Sequence, residues 1–253
     1  PNYLSVDENG LVTLLNNSET LGQTYYITAQ VEDFIDTCAV HVSGERYNLW
    51  ITGNRVTSLN KNDILGNGRV SYDNGKLTLK GGTLGSTTYT DNIVIHSTMP
   101  TLVIDVTQNT SVYSRHSAAT ILSTGNLVFT GAGTLTVENR NTSDQSIGLG
   151  AKNIIVRDGA HVNSARASVA TAASNGLSVI GENSELRSVG RIASVLVKNL
   201  FIGVITEPAG AFWNFYRGYI TIGGQPATGV VVITGEPTEP SFIRGDVNKD
   251  NLV

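Results

Sequence analysis

The sequence predicts an all-β fold built on a right-handed parallel β-helix, with three short strands in each coil of about 25 residues. Three observations carry this. First, one phrase recurs through residues 120–202. Asn126-Leu127-Val128-Phe129 with Leu135-Thr136-Val137 returns as Asn153-Ile154-Ile155-Val156 with Ala160-His161-Val162, then as Gly176-Leu177-Ser178-Val179 with Glu185-Leu186-Arg187. Second, the leading apolar residues Leu77, Leu102, Leu127, Ile154, Leu177 and Leu200 are 25, 25, 27, 23 and 23 residues apart. A second segment precedes each by seven residues (Val70, Ile95, Thr120, Ile147, Ala170, Ala193), and Val112, Val137 and Val162 mark a third, 25 apart. Third, Leu, Ile, Val and Phe alternate with Thr, Ser, Asn, Lys and Arg, as strands buried on one face require. Stacking in register puts each copy about 4.8 Å above the last, and parallel crossovers are right-handed as a rule.

Composition agrees with an extracellular all-β chain. Of 253 residues, 40% are hydrophobic, only 15% are charged and 27 are glycine; disorder would need more charge and fewer apolar residues. The net charge of −4 lacks the basic footprint that nucleic-acid binding needs, so no nucleic-acid partner is expected. A single cysteine, Cys38, excludes a disulfide framework and a multi-cysteine metal site. No apolar run reaches the roughly 18 residues of a spanning helix, so no membrane span is expected. The chain starts at Pro1-Asn2 with no visible secretion signal and reads as an excised piece.

Residues 1–44 form a separate module. Val6-Asp7-Glu8-Asn9-Gly10-Leu11-Val12 reads as two strand ends around an Asn-Gly turn. Residues 25–31 and 37–42 alternate apolar and polar positions on either side of a turn containing Glu32 and Asp33. The stretches Ser5-Val6-Asp7-Glu8-Asn9-Gly10-Leu11-Val12-Thr13, Tyr26-Ile27-Thr28-Ala29 and Cys38-Ala39-Val40-His41-Val42 resemble the second half of a group 2 bacterial immunoglobulin-like domain. That resemblance implies that Cys38 is a buried core residue, and a free cysteine packs more readily as a small hydrophobe than it serves as a catalytic thiol. Half a sandwich leaves an edge open, so this segment has to lean on the β-helix or be marginal.

Residues 46–56, with Tyr47-Asn48-Leu49-Trp50-Ile51 and a Gly53-Asn54 turn, are strand-like and suit a cap over the first coil, because a parallel stack exposes its end layer. Residues 60–67 are polar and suit a short helical turn or a loop, after which the coils start at Gly68. At the far end five aromatics (Phe212, Trp213, Phe215, Tyr216 and Tyr219) fall within eight residues. They suit a plug closing the β-helix, or a platform for the apolar faces of sugar rings; Trp213 and Tyr216 are the carbohydrate-binding candidates. Residues 221–234 supply two last strands, and Glu236-Pro237-Thr238-Glu239-Pro240 has linker composition. The division is therefore 1–44, 45–235 and 236–253.

The tail Phe242-Ile243-Arg244-Gly245-Asp246-Val247-Asn248-Lys249-Asp250 resembles the opening of a dockerin type I repeat, an EF-hand-like calcium loop. Asp246, Asn248 and Asp250 stand at alternate positions, as oxygen ligands of a hard cation do. Asn251 replaces the usual glycine and Val253 ends the chain before the bidentate acid, so the loop as written is incomplete. The resemblance implies calcium and a cohesin-like partner for a longer tail; no other cofactor is expected.

Chemistry is hard to place on the repeats. A glycosidase needs two convergent carboxylates. Among the acids of the coils only Asp158 and Glu182, 24 apart, approach the coil spacing, and they sit beside Gly159 and Asn183 as turn residues do. His96, His116 and His161 have no evident Ser or Asp partner and read as structural. No catalytic residue is assigned. One surface pattern is periodic: Arg115, Arg140, Arg166 and Arg191 are 25, 26 and 25 apart. They suit a basic strip whose guanidinium forks hold the carboxylates of an anionic polysaccharide, or four solvated arginines paired with Glu138, Asp144 and Glu185.

Leu127-Val128-Phe129-Thr130-Gly131-Ala132-Gly133-Thr134-Leu135-Thr136-Val137, Gly148-Leu149-Gly150-Ala151-Lys152-Asn153-Ile154, Tyr47-Asn48-Leu49-Trp50-Ile51-Thr52-Gly53 and Asp63-Ile64-Leu65-Gly66-Asn67-Gly68 resemble the carbohydrate-binding β-helix domains of bacterial surface proteins. The likeness covers about 190 residues and extends to adhesin-type head domains. It implies a secreted or cell-surface, non-catalytic protein that binds a polysaccharide or a host or cell-surface glycan. A polysaccharide lyase or hydrolase on the same scaffold, or a structural stalk, are the alternatives.

Overall fold

The strand-forming phrases and their turns fold as the repeat requires. The computed structural model describes residues 4–14, 20–86, 88 and 92–235, and among them every regular element is a strand. In chain order, β1 (Leu4–Val6), β2 (Val12–Leu14), β3 (Thr24–Val31) and β4 (Phe34–His41) make two antiparallel hairpins. β5 (Arg46–Ile51), β6 (Asn54–Thr57) and β7 (Val70–Asp73) make the first cap. The coils run through β8 (Lys76–Gly85), β9 (Ile95–Ser97), β10 (Thr101–Ser114), β11 (Ala119–Ser123), β12 (Asn126–Thr130), β13 (Thr134–Asn139), β14 (Ile147–Val156), β15 (His161–Ala165), β16 (Val169–Val179), β17 (Glu185–Val189), β18 (Ala193–Val197) and β19 (Leu200–Ile202). β20 (Val204–Glu207), β21 (Phe212–Asn214), β22 (Tyr219–Ile222), β23 (Gln225–Pro226) and β24 (Val230–Thr234) close the far end.

The coils form a β-solenoid of about five turns with three parallel faces. The long strands β10, β14 and β16 each bend from one face onto the next, so a single element serves two faces. Each face buries a rank of side chains running along the axis. On the first face it is Ile51, Ile95, Ile121, Leu149, Thr171 and Val195. On the second it is Leu77, Ile104, Phe129, Val156 and Val179. On the third Leu135, Val162, Leu186 and Ile233 lie in line. Phe129, the largest fully buried side chain, sits mid-stack. Glycine is required where coils meet closely: Gly131 holds φ +98, and a Cβ there would collide with the Val106 carbonyl oxygen.

Two side-chain devices complete the coils. At the corner between third and first faces, buried polar groups bond across the turn. Ser114 Oγ meets Thr120 Oγ1 at 2.6 Å, Asn139 Nδ2 donates to the carbonyls of His116 and Ile147 (3.0 Å each), and Thr171 Oγ1 meets Ser188 Oγ at 2.7 Å. Among the described residues no buried side-chain nitrogen or oxygen lacks a partner, as a low-dielectric interior demands. At the corner between first and second faces runs an amide ladder. Asn199 Nδ2 donates to Asn175 Oδ1 (3.0 Å), Asn175 to Asn153 (2.7 Å), Asn153 to Asn126 (2.7 Å), and Asn126 to Thr101 Oγ1 (3.1 Å).

The structure corrects several details, Leu200 among them: it pairs with Gly176 and is exposed, while Phe201 follows Leu177. Val70 does not open a coil: β7 turns back through Asn74 and Gly75, both at positive φ, and pairs antiparallel with β8. Leu77 underlies Ile104 instead of Leu102. Val137 stacks under Ser164, while Val162 lies over Leu135. Cys38 is exposed, because among the described residues the β3–β4 ribbon carries no second sheet over Cys38, Ile35 or Phe34, the last 81% exposed. The ribbon's tether to the coils includes Arg46 Nη2, which donates to the Leu21 carbonyl at 2.8 Å. Residues 60–67 are a turn-rich loop without a helix.

Antiparallel strands cap both ends: β5 lies antiparallel on β9, and β24 on β17. Thr171→Val should cost about 1–3 kcal/mol in urea unfolding, since it orphans the buried Ser188 hydroxyl. Adding Ser188→Ala should recover much of that loss; a double variant no more stable than the single would show that the hydroxyl pair is not what holds this corner.

Candidate functional site

The arginines lie where β10, β13, β15 and β17 leave the third face. The register puts Arg115 beside Arg140, and the Arg140 and Arg191 amides donate to Ser114 and Ala167 carbonyls (2.8 and 2.9 Å). Arg115, Arg140 and Arg191 thus share a row. Arg166 stands one position off it, in a left-handed turn of φ +66.

Their guanidinium groups are partly committed. Arg140 Nη2 and Nε reach Glu138 Oε2 at 2.8 and 2.9 Å, and Arg166 Nε reaches the same oxygen at 3.2 Å. Arg140 also lies over the Tyr113 ring, 5.4 Å from its centroid. Arg191 Nη2 donates to the Thr142 and Ser143 carbonyls and to Ser168 Oγ, with Asp144 at 3.8 Å from Nη1, so it staples the 142–146 turn. Arg115 Nη1 approaches the Thr88 carbonyl at 3.4 Å. Glu185 makes no ion pair among the described residues. Each shared carboxylate relieves like-charge repulsion between stacked arginines.

What remains is concave. Glu138, Ala165, Arg166, Val189, Gly190, Arg191 and Thr228 line an open cleft of about 630 Å³. Arg166 is 61% exposed at its side chain and among the described residues pairs through Nε alone, which leaves its two terminal nitrogens with donors to spare. The strip therefore narrows to a cleft with two guanidinium groups; Arg115 and Arg140 do not line it.

The aromatic cluster divides in the same way. Trp213 packs half-buried on the core, its Nε1–H donates to the Val197 carbonyl at 3.0 Å, and its ring lies 5.9 Å from Phe201 and 5.7 Å edge-on from Phe215. That is a plug. Tyr216 is 96% exposed and touches only the Phe215 edge among the ring contacts, 5.8 Å away. The Asp246, Asn248 and Asp250 calcium positions lie outside the described residues. Within the described residues no group of three His, Cys, Asp or Glu is placed to hold a metal. Asp158 pairs with Arg157 at 3.5 Å in a left-handed turn, in keeping with a turn role.

Sequence reading missed one pocket. Trp50, Gly53, Asn92, Ile93, His96 and His116 enclose about 310 Å³ at the capped end of the first face. Trp50 pairs across the sheet with Arg55 on one side and His96 on the other. The His96 ring stacks on the indole at 5.2 Å, and Arg55 lies 5.2 Å from it. His116 Nδ1 accepts the Ala118 amide at 3.1 Å. His96 and Trp50 are 46 residues apart and join only because β5 folds back onto β9; no periodic signal marks them.

Comparison with family models, curated proteins and solved structures gives no match to the chain.

Burial lowers the His96 pKa below its ordinary 6.5. The folded state then binds this proton less readily than the unfolded state, so stability falls as pH drops through the ordinary imidazole range. An NMR titration should place His96 below 6.5; a midpoint at or above that value contradicts its desolvation against Trp50.

Proposed function

We propose that this is a secreted or cell-surface glycan-binding protein that holds an anionic polysaccharide without cleaving it. The observation that carries the reading is the cleft beside Arg166 and Arg191. It offers unspent guanidinium donors on a rigid ladder, and such forks match carboxylate geometry. The exposed Tyr216 ring adds a second contact point for a sugar face at the capped end. In this reading the N-terminal hairpins belong to an immunoglobulin-like spacer. The tail belongs to a dockerin-like module that takes calcium and a cohesin-like partner.

Binding of oligouronates should weaken about tenfold in Arg166→Gln, equivalent to ~1.4 kcal/mol, while Glu138 keeps Arg140. Binding should also fall as salt rises, because the cleft is open to solvent. Unchanged affinity in the variant, or indifference to salt, rejects this cleft. Release of new reducing ends or unsaturated products from the polymer would replace the reading with a lyase or hydrolase.

A further inference from the structure

The first face carries a slot that the arginine cleft does not explain. Its outward rank is Leu122, Gly150, Ala172 and Leu196, paired in register from strand to strand. The two leucines stand up at the ends and the two small residues between them sink the floor, leaving about 430 Å³. From Leu122 to Leu196 is three strand spacings, roughly 14 Å along the axis. One wall is apolar, from Ile147 and Val169. The other follows the next outward positions: Thr124, Lys152, Ser174 and Lys198.

That second wall is cationic and unopposed. Lys152 and Lys198 are both exposed, and neither forms an ion pair among the described residues. The four strand segments of this face, 118–124, 146–152, 168–174 and 192–198, contain no Asp or Glu. Elsewhere Lys61 and Lys76 each meet an aspartate, at 3.2 and 3.3 Å. A ligand for the slot therefore needs an apolar face for the floor and negative charge along one edge. The lysines recur every second coil, roughly 9.6 Å apart at the backbone.

We infer that the slot binds a β-(1→4)-linked uronate chain lying along the solenoid axis. In such a ribbon successive rings present opposite edges, so carboxylates on one edge recur at every second ring. One ring advances about as far as one coil, which brings those carboxylates to Lys152 and Lys198. The rings' C–H faces cover Gly150 and Ala172, the Ser174 hydroxyl meets a ring hydroxyl between the charges, and the Thr124 hydroxyl meets one just beyond Lys152. This second site rests on the anionic-glycan reading but uses a different face and different cations.

The test is calorimetric titration of the whole chain with oligomannuronate, with cello-oligosaccharide as the neutral ribbon and decanoate as an amphiphilic carboxylate. Lys152→Met with Lys198→Met should cut oligomannuronate affinity at least tenfold. Ala172→Leu, which raises the floor, should do the same, with circular dichroism unchanged in both. Arg166→Gln should leave this component in place. Loss in Arg166→Gln with none in the lysine pair overturns the slot and keeps the arginine cleft. Binding of decanoate without oligomannuronate overturns the uronate assignment, and equal affinity for cello-oligosaccharide overturns the role of the lysines. No uronate binding by the unaltered protein overturns both sites together.

Discussion

The parallel hydrogen-bond ladder between successive coils is the constraint from which the rest follows. Each strand is fixed in register by the strand below, so an inward residue stacks on an inward residue and an outward one on an outward one. A one-residue slip would turn a whole rank from core to solvent. This explains why the interior tolerates Thr171 in an otherwise aliphatic rank. Moving it out would displace Leu149 and Val195 as well, so the fold instead supplies Ser188 as a partner. It also explains the antiparallel ends. A parallel stack cannot terminate itself, and reversing β5, β7 and β24 ends the template with strands that do not continue the coil.

Period-two alternation and the recurring phrase were enough to read the solenoid, its three strands per coil, its first cap and the N-terminal hairpins. The mid-stack registers Leu102–Leu127–Ile154–Leu177 match the spacing of the recurring phrase, although the turns between coils differ in length. The ends did not. A hairpin and a coil strand have the same alternation, so Val70 looked like another repeat until Asn74-Gly75 turned the chain back. Next to that hairpin Leu77 pairs with Ile104, 27 residues on, and the offset grows to 28 beyond the bulge at Val106–Gln108. Cys38 misled for a different reason: burial depends on a covering sheet, and the β3–β4 sequence cannot state whether one lies over it.

The surface was half legible. Spacing found the four arginines, since a charged side chain at a coil corner repeats with the coil. It was silent about commitment: Glu138 sits two residues before Arg140 yet also takes Arg166 from the next coil, and Arg191 is absorbed by backbone carbonyls. Likewise Trp213 and Tyr216, three residues apart, have opposite fates, one locked by a carbonyl and the other projecting. The Trp50–His96–His116 pocket and the Gly150–Ala172 depression arise from residues that are unremarkable alone. Only adjacency across coils gives them shape.

The asparagine ladder has a direction. Every amide in it, from Asn199 to Asn126, offers its N–H toward the first cap and its oxygen toward the second. Aligned amide dipoles polarise one another, so the corner behaves as a one-way wire of side-chain dipoles beside the covalent chain. Of these, Asn126, Asn153 and Asn175 each donate and accept, so none of the three can rotate without breaking two bonds or forcing its neighbours to rotate with it. The orientation is therefore a collective property, set along the whole solenoid at once. It gives the two ends of an otherwise repetitive rod opposite electrical character, with the oxygen-bearing end nearest the exposed aromatics.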